Sequence, residues 1–89
     1  MPTYLLETYM PGSHVHEAAA ASDRARAAAE ELARQGTAVR YVRSTFLPDD
    51  EMCFHIFEAD VTATVDRVSL RAALGPGRIV PAVEVFFRV

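Results

Sequence analysis

The sequence predicts an α+β domain in which a four-stranded antiparallel sheet carries two helices on one face. Three observations predict it. Apolar residues recur at three- and four-residue spacing in two stretches, and alternate or run β-branched and aromatic in four others. Proline and glycine punctuate the boundaries, at Pro11-Gly12, Gly36 and Gly75-Pro76-Gly77. The chain has 89 residues and is 51% hydrophobic, which suits a single folded domain spanning residues 1–89.

The elements follow in order. "TYLLETYM", Thr3 to Met10, is a short β-prone run closed by Pro11-Gly12. "VHEAAAASDRARAAAEELARQG" is the clearest helix. Ala18, Ala21, Ala25, Ala28 and Leu32 share one face, with Asp23, Arg26, Glu30 and Arg34 opposite and Gly36 where a C-terminal cap belongs. A stripe made mostly of alanine lets that helix lie close to whatever it covers. "TAVRYVRSTFLP", Thr37 to Pro48, reads as a strand, and the polar turn "DDE" joins it in a hairpin to "MCFHIFEAD", Met52 to Asp60. Asp60 ends that strand and caps a second helix, whose inner face is Val61, Val65, Val68 and Ala72. "GPG" breaks the helix. "RIVPAVEVFFRV" is the last strand, placed at an edge or bulged because Pro81 has no N–H for a ladder.

The order β-α-β-β-α-β is the ferredoxin-like split βαβ arrangement. Right-handed crossovers place the strands 4-1-3-2, all neighbours antiparallel, with both helices on one face of the sheet. The other face is left bare. On the last strand Val83, Val85 and Phe87 alternate with Ala82, Glu84 and Phe86, so both sides are apolar, as in strands buried on both sides. A second copy covering the bare face is therefore expected, as a homodimer through the sheet faces.

The bulk numbers exclude several classes of partner. A net charge of −3 and a pI near 5.5 point away from nucleic acid and anionic membranes. No apolar run approaches the roughly 20 residues of a membrane helix. "MPTYLLETYMPG" lacks the basic segment and cleavage signal of a secretory leader, and a lone cysteine fits a reducing compartment, so a cytoplasmic location is expected.

The chemistry centres on "MCFHIFEAD". Phe54 and Ile56 fall on one side; Cys53, His55 and Phe57 fall on the other. Phe54, Ile56 and Val42 suit the helix-covered face. Tyr41, Arg43, Thr45, Cys53, His55 and Phe57 are then expected on the open face, joined there by Leu5, Glu7 and Tyr9 of the first strand, with Tyr4, Leu6 and Thr8 as the alternative set. That arrangement brings Glu7 beside His55 on one side, and Tyr41 or Arg43 on the other. An imidazole beside a carboxylate is a metal-ligand pair or an acid/base pair; the simpler reading is a buried, hydrogen-bonded histidine at an interface. Arg43 supplies positive charge and favours an anionic or carbonyl-bearing ligand over a cation. Cys53 reads as a small buried hydrophobe, since a nucleophilic thiol needs a neighbouring base. "HVH", His14 to His16, reads as a surface or capping pair at the start of the first helix, or as a terminal metal site.

These residues resemble a family of small bacterial ferredoxin-like proteins of unknown function, some described as nickel-binding. Members read W-x-H-S-Y-V, a polar turn, then T-F-C-x-Y-E-A-P, after a "YLVER"-type first strand. In "RYVRSTFLPDDEMCFHIFEAD" Tyr41 stands at the tryptophan and Ser44 at the serine, while Phe54, Phe57, Glu58 and Ala59 stand at F, Y, E and A; Glu7 matches the first-strand glutamate. Arg43 replaces the family histidine and His55 its cysteine. The resemblance implies a homodimer of the dimeric α+β barrel type with a site on the sheet face. That site would bind a small molecule through Glu7, Tyr9, Tyr41, Arg43, His55 and Phe57, or a divalent metal such as nickel through His55 and Glu7. The two replacements predict weaker metal binding than in members that keep histidine and cysteine. Barrels of this type also host cofactor-free oxygenases, cyclases and isomerases acting on aromatic or polyketide-like substrates. In that alternative His55 is the acid/base and Arg43 the polarising donor.

Overall fold

The computed structural model describes residues 1–85. Among them the chain forms β1 (Thr3–Tyr9), α1 (Val15–Arg34), β2 (Val39–Leu47), β3 (Met52–Ala59), α2 (Thr62–Ala72) and β4 (Gly77–Ala82). The sheet order is β2-β3-β1-β4 with every neighbour antiparallel, the expected ferredoxin-like order read from the other edge.

Local chemistry sets the boundaries. Beyond α1, Gly36 takes φ 94°, Thr37 N–H donates to the Leu32 carbonyl at 3.0 Å, and Gly36 N–H donates to Ala33 at 3.0 Å. These two bonds form a Schellman motif, which glycine permits without a Cβ clash. The end of α2 repeats the bond pattern, from Leu74 to Ser69 and from Ala73 to Leu70, but with Ala73 in the left-handed position at φ 53°. Asp60 Oδ1 accepts from Val61 N–H at 2.9 Å and from the Thr64 hydroxyl at 2.6 Å, tying down the first turn of α2. At the hairpin turn, Glu51 N–H donates to the Pro48 carbonyl, the Glu51 carbonyl accepts from Met10 N–H, and its carboxylate accepts from Gly12 N–H. The Pro11-Gly12 loop is therefore stitched to the hairpin. A Cβ on Gly12 would lie 2.4 Å from the Pro48 carbonyl oxygen, so glycine is required there.

The core joins the alanine face of α1 to Leu6, Val39, Phe57 and Ala59 of the sheet and to Val65, Val68 and Ala72 of α2. The expected inner residues of α1 are all buried. Val61 is the exception on α2: it precedes the first turn as the N-cap residue and is exposed.

The two faces of β3 are the reverse of the expectation. Cys53, His55, Phe57 and Ala59 point to the helices, whereas Phe54 and Ile56 point to the open side. Apart from His55 both sets are apolar, so hydrophobicity alone does not choose between them. Glu58 does, because it shares parity with Phe54 and Ile56, and its carboxylate pairs with exposed Arg40 at the rim. β2 also departs from strict alternation. Tyr41 opposes Phe57 and Arg43 opposes Ile56, with Val42 as the extra residue of a β-bulge. The bulge sends Tyr41 and Ser44 to the helix side and Arg43 to the open side.

β4 is an edge strand, which explains how it accommodates Pro81 opposite Tyr4. It ends at Ala82, shorter than expected. Val83 and Val85 follow it at 88% and 80% exposure, and the alternating partners Phe86 and Phe87 lie outside the described residues. No helix is long and apolar enough to cross a membrane among the described residues.

Candidate functional site

The site is built where α1 crosses the β2–β3 hairpin. His55 is 1% exposed, paired in the ladder with Leu6 on one side and Ser44 on the other. Its Nδ1 lies 2.6 Å from Ser44 Oγ. Ser44 Oγ lies 2.8 Å from Tyr41 Oη, and Tyr41 Oη lies 2.5 Å from Ser22 Oγ on α1. Four side chains from three elements thus form one continuous hydrogen-bond chain. The bulge at Val42 makes it possible: with strict alternation, Tyr41 and Ser44 would face opposite sides of the sheet. Tyr41 is also held edge-on to Phe57, with centroids 5.7 Å apart.

Electrostatics keep the imidazole neutral. Burial, and then the Arg24 guanidinium, push the His55 pKa down from 6.5 to about 4. Arg24 is held on the far side by its own bonds to the Ala72 and Ala73 carbonyls at the end of α2, the first at 2.8 Å. Cys53 is fully buried two residues along, and burial pushes its thiol pKa up, so it remains a thiol as its sequence position suggests.

A cavity of about 250 Å³ opens beside this chain between α1 and the hairpin. Val15, Ala18, Ala19, Phe46 and Cys53 supply apolar walls, and the hydroxyls of Ser22 and Ser44 supply its polar side. Its lining among the described residues holds no charged side chain. A larger groove of about 530 Å³ lies between α2 and the β1–β4 edge, lined by Leu6, Asp66, Ser69, Leu70 and the Gly75-Pro76-Gly77 turn. It touches no member of the hydrogen-bond chain, so the smaller cavity is the candidate site.

The residues expected to form one open-face site are divided between the two faces. Glu7, Tyr9 and Arg43 lie on the open face; Tyr41, His55 and Phe57 lie under the helices. Glu7 opposes Phe54 and Arg78 and pairs with Arg78 at 3.0 Å, not with His55. Glu7 and His55 therefore cannot share a metal ion, and Arg43 cannot polarise a substrate held by His55. His14 precedes α1, its Nδ1 3.0 Å from the Glu17 carboxylate, and His16 is exposed on the first turn. Among the described residues, no three His, Cys, Asp or Glu side chains come together to hold a metal ion.

Ser22 and Ser44 were missed by the sequence reading as site residues. Ser44 is followed in β2 by residues with ordinary alternation, and nothing local marks it. The available signal is the three-residue spacing of Tyr41 and Ser44 in a strand, which brings both hydroxyls to one side only when a bulge intervenes. The chain matches no protein-family model, no curated protein and no solved structure.

Proposed function

We propose that the protein is a small-molecule-binding homodimer of the dimeric α+β barrel type, with its ligand held between α1 and the β2–β3 hairpin. The observation that carries the ligand site is the chain from Ser22 through Tyr41 and Ser44 to His55, two of whose hydroxyls line a cavity. A buried histidine at the end of such a chain rests as a neutral hydrogen-bonding group. The cavity is smaller than the roughly 300–1,000 Å³ typical of drug-sized ligands. With apolar walls and no lining charge, it suits a small uncharged molecule bearing a hydroxyl or carbonyl.

The homodimer is supported by the open face. Leu5, Phe54, Ile56 and Val80 form its apolar centre, between the Glu7–Arg78 and Arg40–Glu58 pairs. Beyond β4, Glu84 shares a recess of about 210 Å³ with Thr3, Arg40, Val42, Arg43 and Glu58, so this residue lies on the open face toward β2.

The binding test is an NMR titration with small uncharged alcohols and esters, following the His55 ring and the Ala18, Ser22 and Ser44 amides. Shifts concentrated in that set are the expected result. Shifts concentrated at Leu5, Glu7, Arg43 and Thr45 would move the ligand to the open face and overturn this placement.

A further inference from the structure

We propose that Ser44 is a nucleophile for acyl transfer from small uncharged esters, with His55 as its general base; this rests on the reading that the α1–hairpin cavity is the ligand site. Ser44 is half-buried and lines the cavity, so its oxygen is reachable, while His55 behind it is sealed from solvent. The 2.6 Å separation of Ser44 Oγ and His55 Nδ1 is within the range of an activated nucleophile–base pair.

The hydrogen-bond chain has one sense that prepares the attack. Ser22 donates to Tyr41, Tyr41 donates to Ser44, and Ser44 then places its only proton on Nδ1, leaving the imidazole protonated at Nε2. Tyr41 orients the serine through its bond to Ser44 Oγ. The reaction balances without any other co-reactant than water. Ser44 Oγ attacks the ester carbonyl carbon as its proton passes to His55 Nδ1. The tetrahedral adduct collapses, the C–O bond to the leaving group breaks, and the proton goes to the departing alcohol. Water then attacks acyl-Ser44 with His55 again as base, releasing the carboxylic acid and restoring the serine.

The uncharged lining sets the substrate class, since a carboxylate or ammonium would be desolvated there without a partner. A stopped-flow assay with p-nitrophenyl acetate and mass mapping tests the step on the full chain. The chain has no lysine, so Cys53, the N-terminus and exposed histidines are the main competing nucleophiles. The expected result is a burst of close to one p-nitrophenolate per chain, with the acetyl group on the peptide that contains Ser44. Ser44→Ala should abolish the burst, and His55→Gln should slow it by about a hundredfold or more. Mapping on the wild-type protein needs no variant to fold: acetyl found on any other residue, or none found, overturns the proposal. The unreactive amide 4′-nitroacetanilide separates the two readings. Amide binding that shifts Ser44 and His55 resonances, without a burst, overturns the nucleophile and keeps the ligand site. Neither binding nor burst overturns both.

Discussion

His55 carries a large electrostatic consequence. Its folded pKa, near 4, lies below the ordinary 6.5, so the folded state resists taking up a proton that the unfolded chain accepts. The stability held in this way is fully present above about pH 6.5 and is lost as the pH falls toward 4. That lowering corresponds to on the order of 3 kcal/mol. Urea unfolding of the wild type and of His55→Gln from pH 7 to pH 4 measures it: the wild type should weaken steeply, and the variant should show a shallower slope over the same range. Equal slopes would mean that the imidazole stays hydrated. Tyr41→Phe removes the middle of the hydrogen-bond chain and leaves two half-buried hydroxyls with one partner fewer. A loss of about 1–3 kcal/mol is expected in the same denaturation experiment. At this scale the sequence was only half legible. It singled out His55 and its alternation against Phe54 and Ile56, but placed those two, not the imidazole, beneath the helices. Ser44 satisfies the ring's polarity from a neighbouring strand, and only pairing across the ladder shows it.

The elements were far more legible, because each depends on signals within its own segment. The alanine stripe of α1, the glycine after it, and the breaks at Pro11-Gly12 and Gly75-Pro76-Gly77 mark boundaries that the structure reproduces. What could not be read was the extra residue at Val42. A bulge leaves no clear mark in composition, yet it decides which side chains of β2 meet α1. The two helix ends offer a direct comparison. Both close with the same pair of bonds, one with glycine and the other with Ala73 in a left-handed conformation that L side chains adopt at a cost. Ala73→Gly should therefore raise stability by about 1 kcal/mol, read as a higher thermal midpoint. A lower midpoint would show that the added freedom of the unfolded chain outweighs the relieved backbone.

For the molecule as a whole, strand order and the placement of both helices follow from chain order and crossover handedness, which is why they could be derived from the sequence. Assembly is a separate matter that depends on the open face. Val85, 80% exposed on the chain beyond β4, is the residue to change. Val85→Asp should convert a dimer to a monomer in sedimentation velocity; a wild type that sediments as a monomer would remove the barrel. The two helices, meanwhile, are not independent covers. Arg24 leaves α1 to grip the last carbonyls of α2, and Arg71 of α2 reaches back to Glu31 of α1. Both ties meet the C-terminal turn of α2, so whatever wedges α1 away from the hairpin also tugs that terminus. Filling the small cavity should accordingly be felt at Leu74, whose N–H closes the end of α2 on the Ser69 carbonyl.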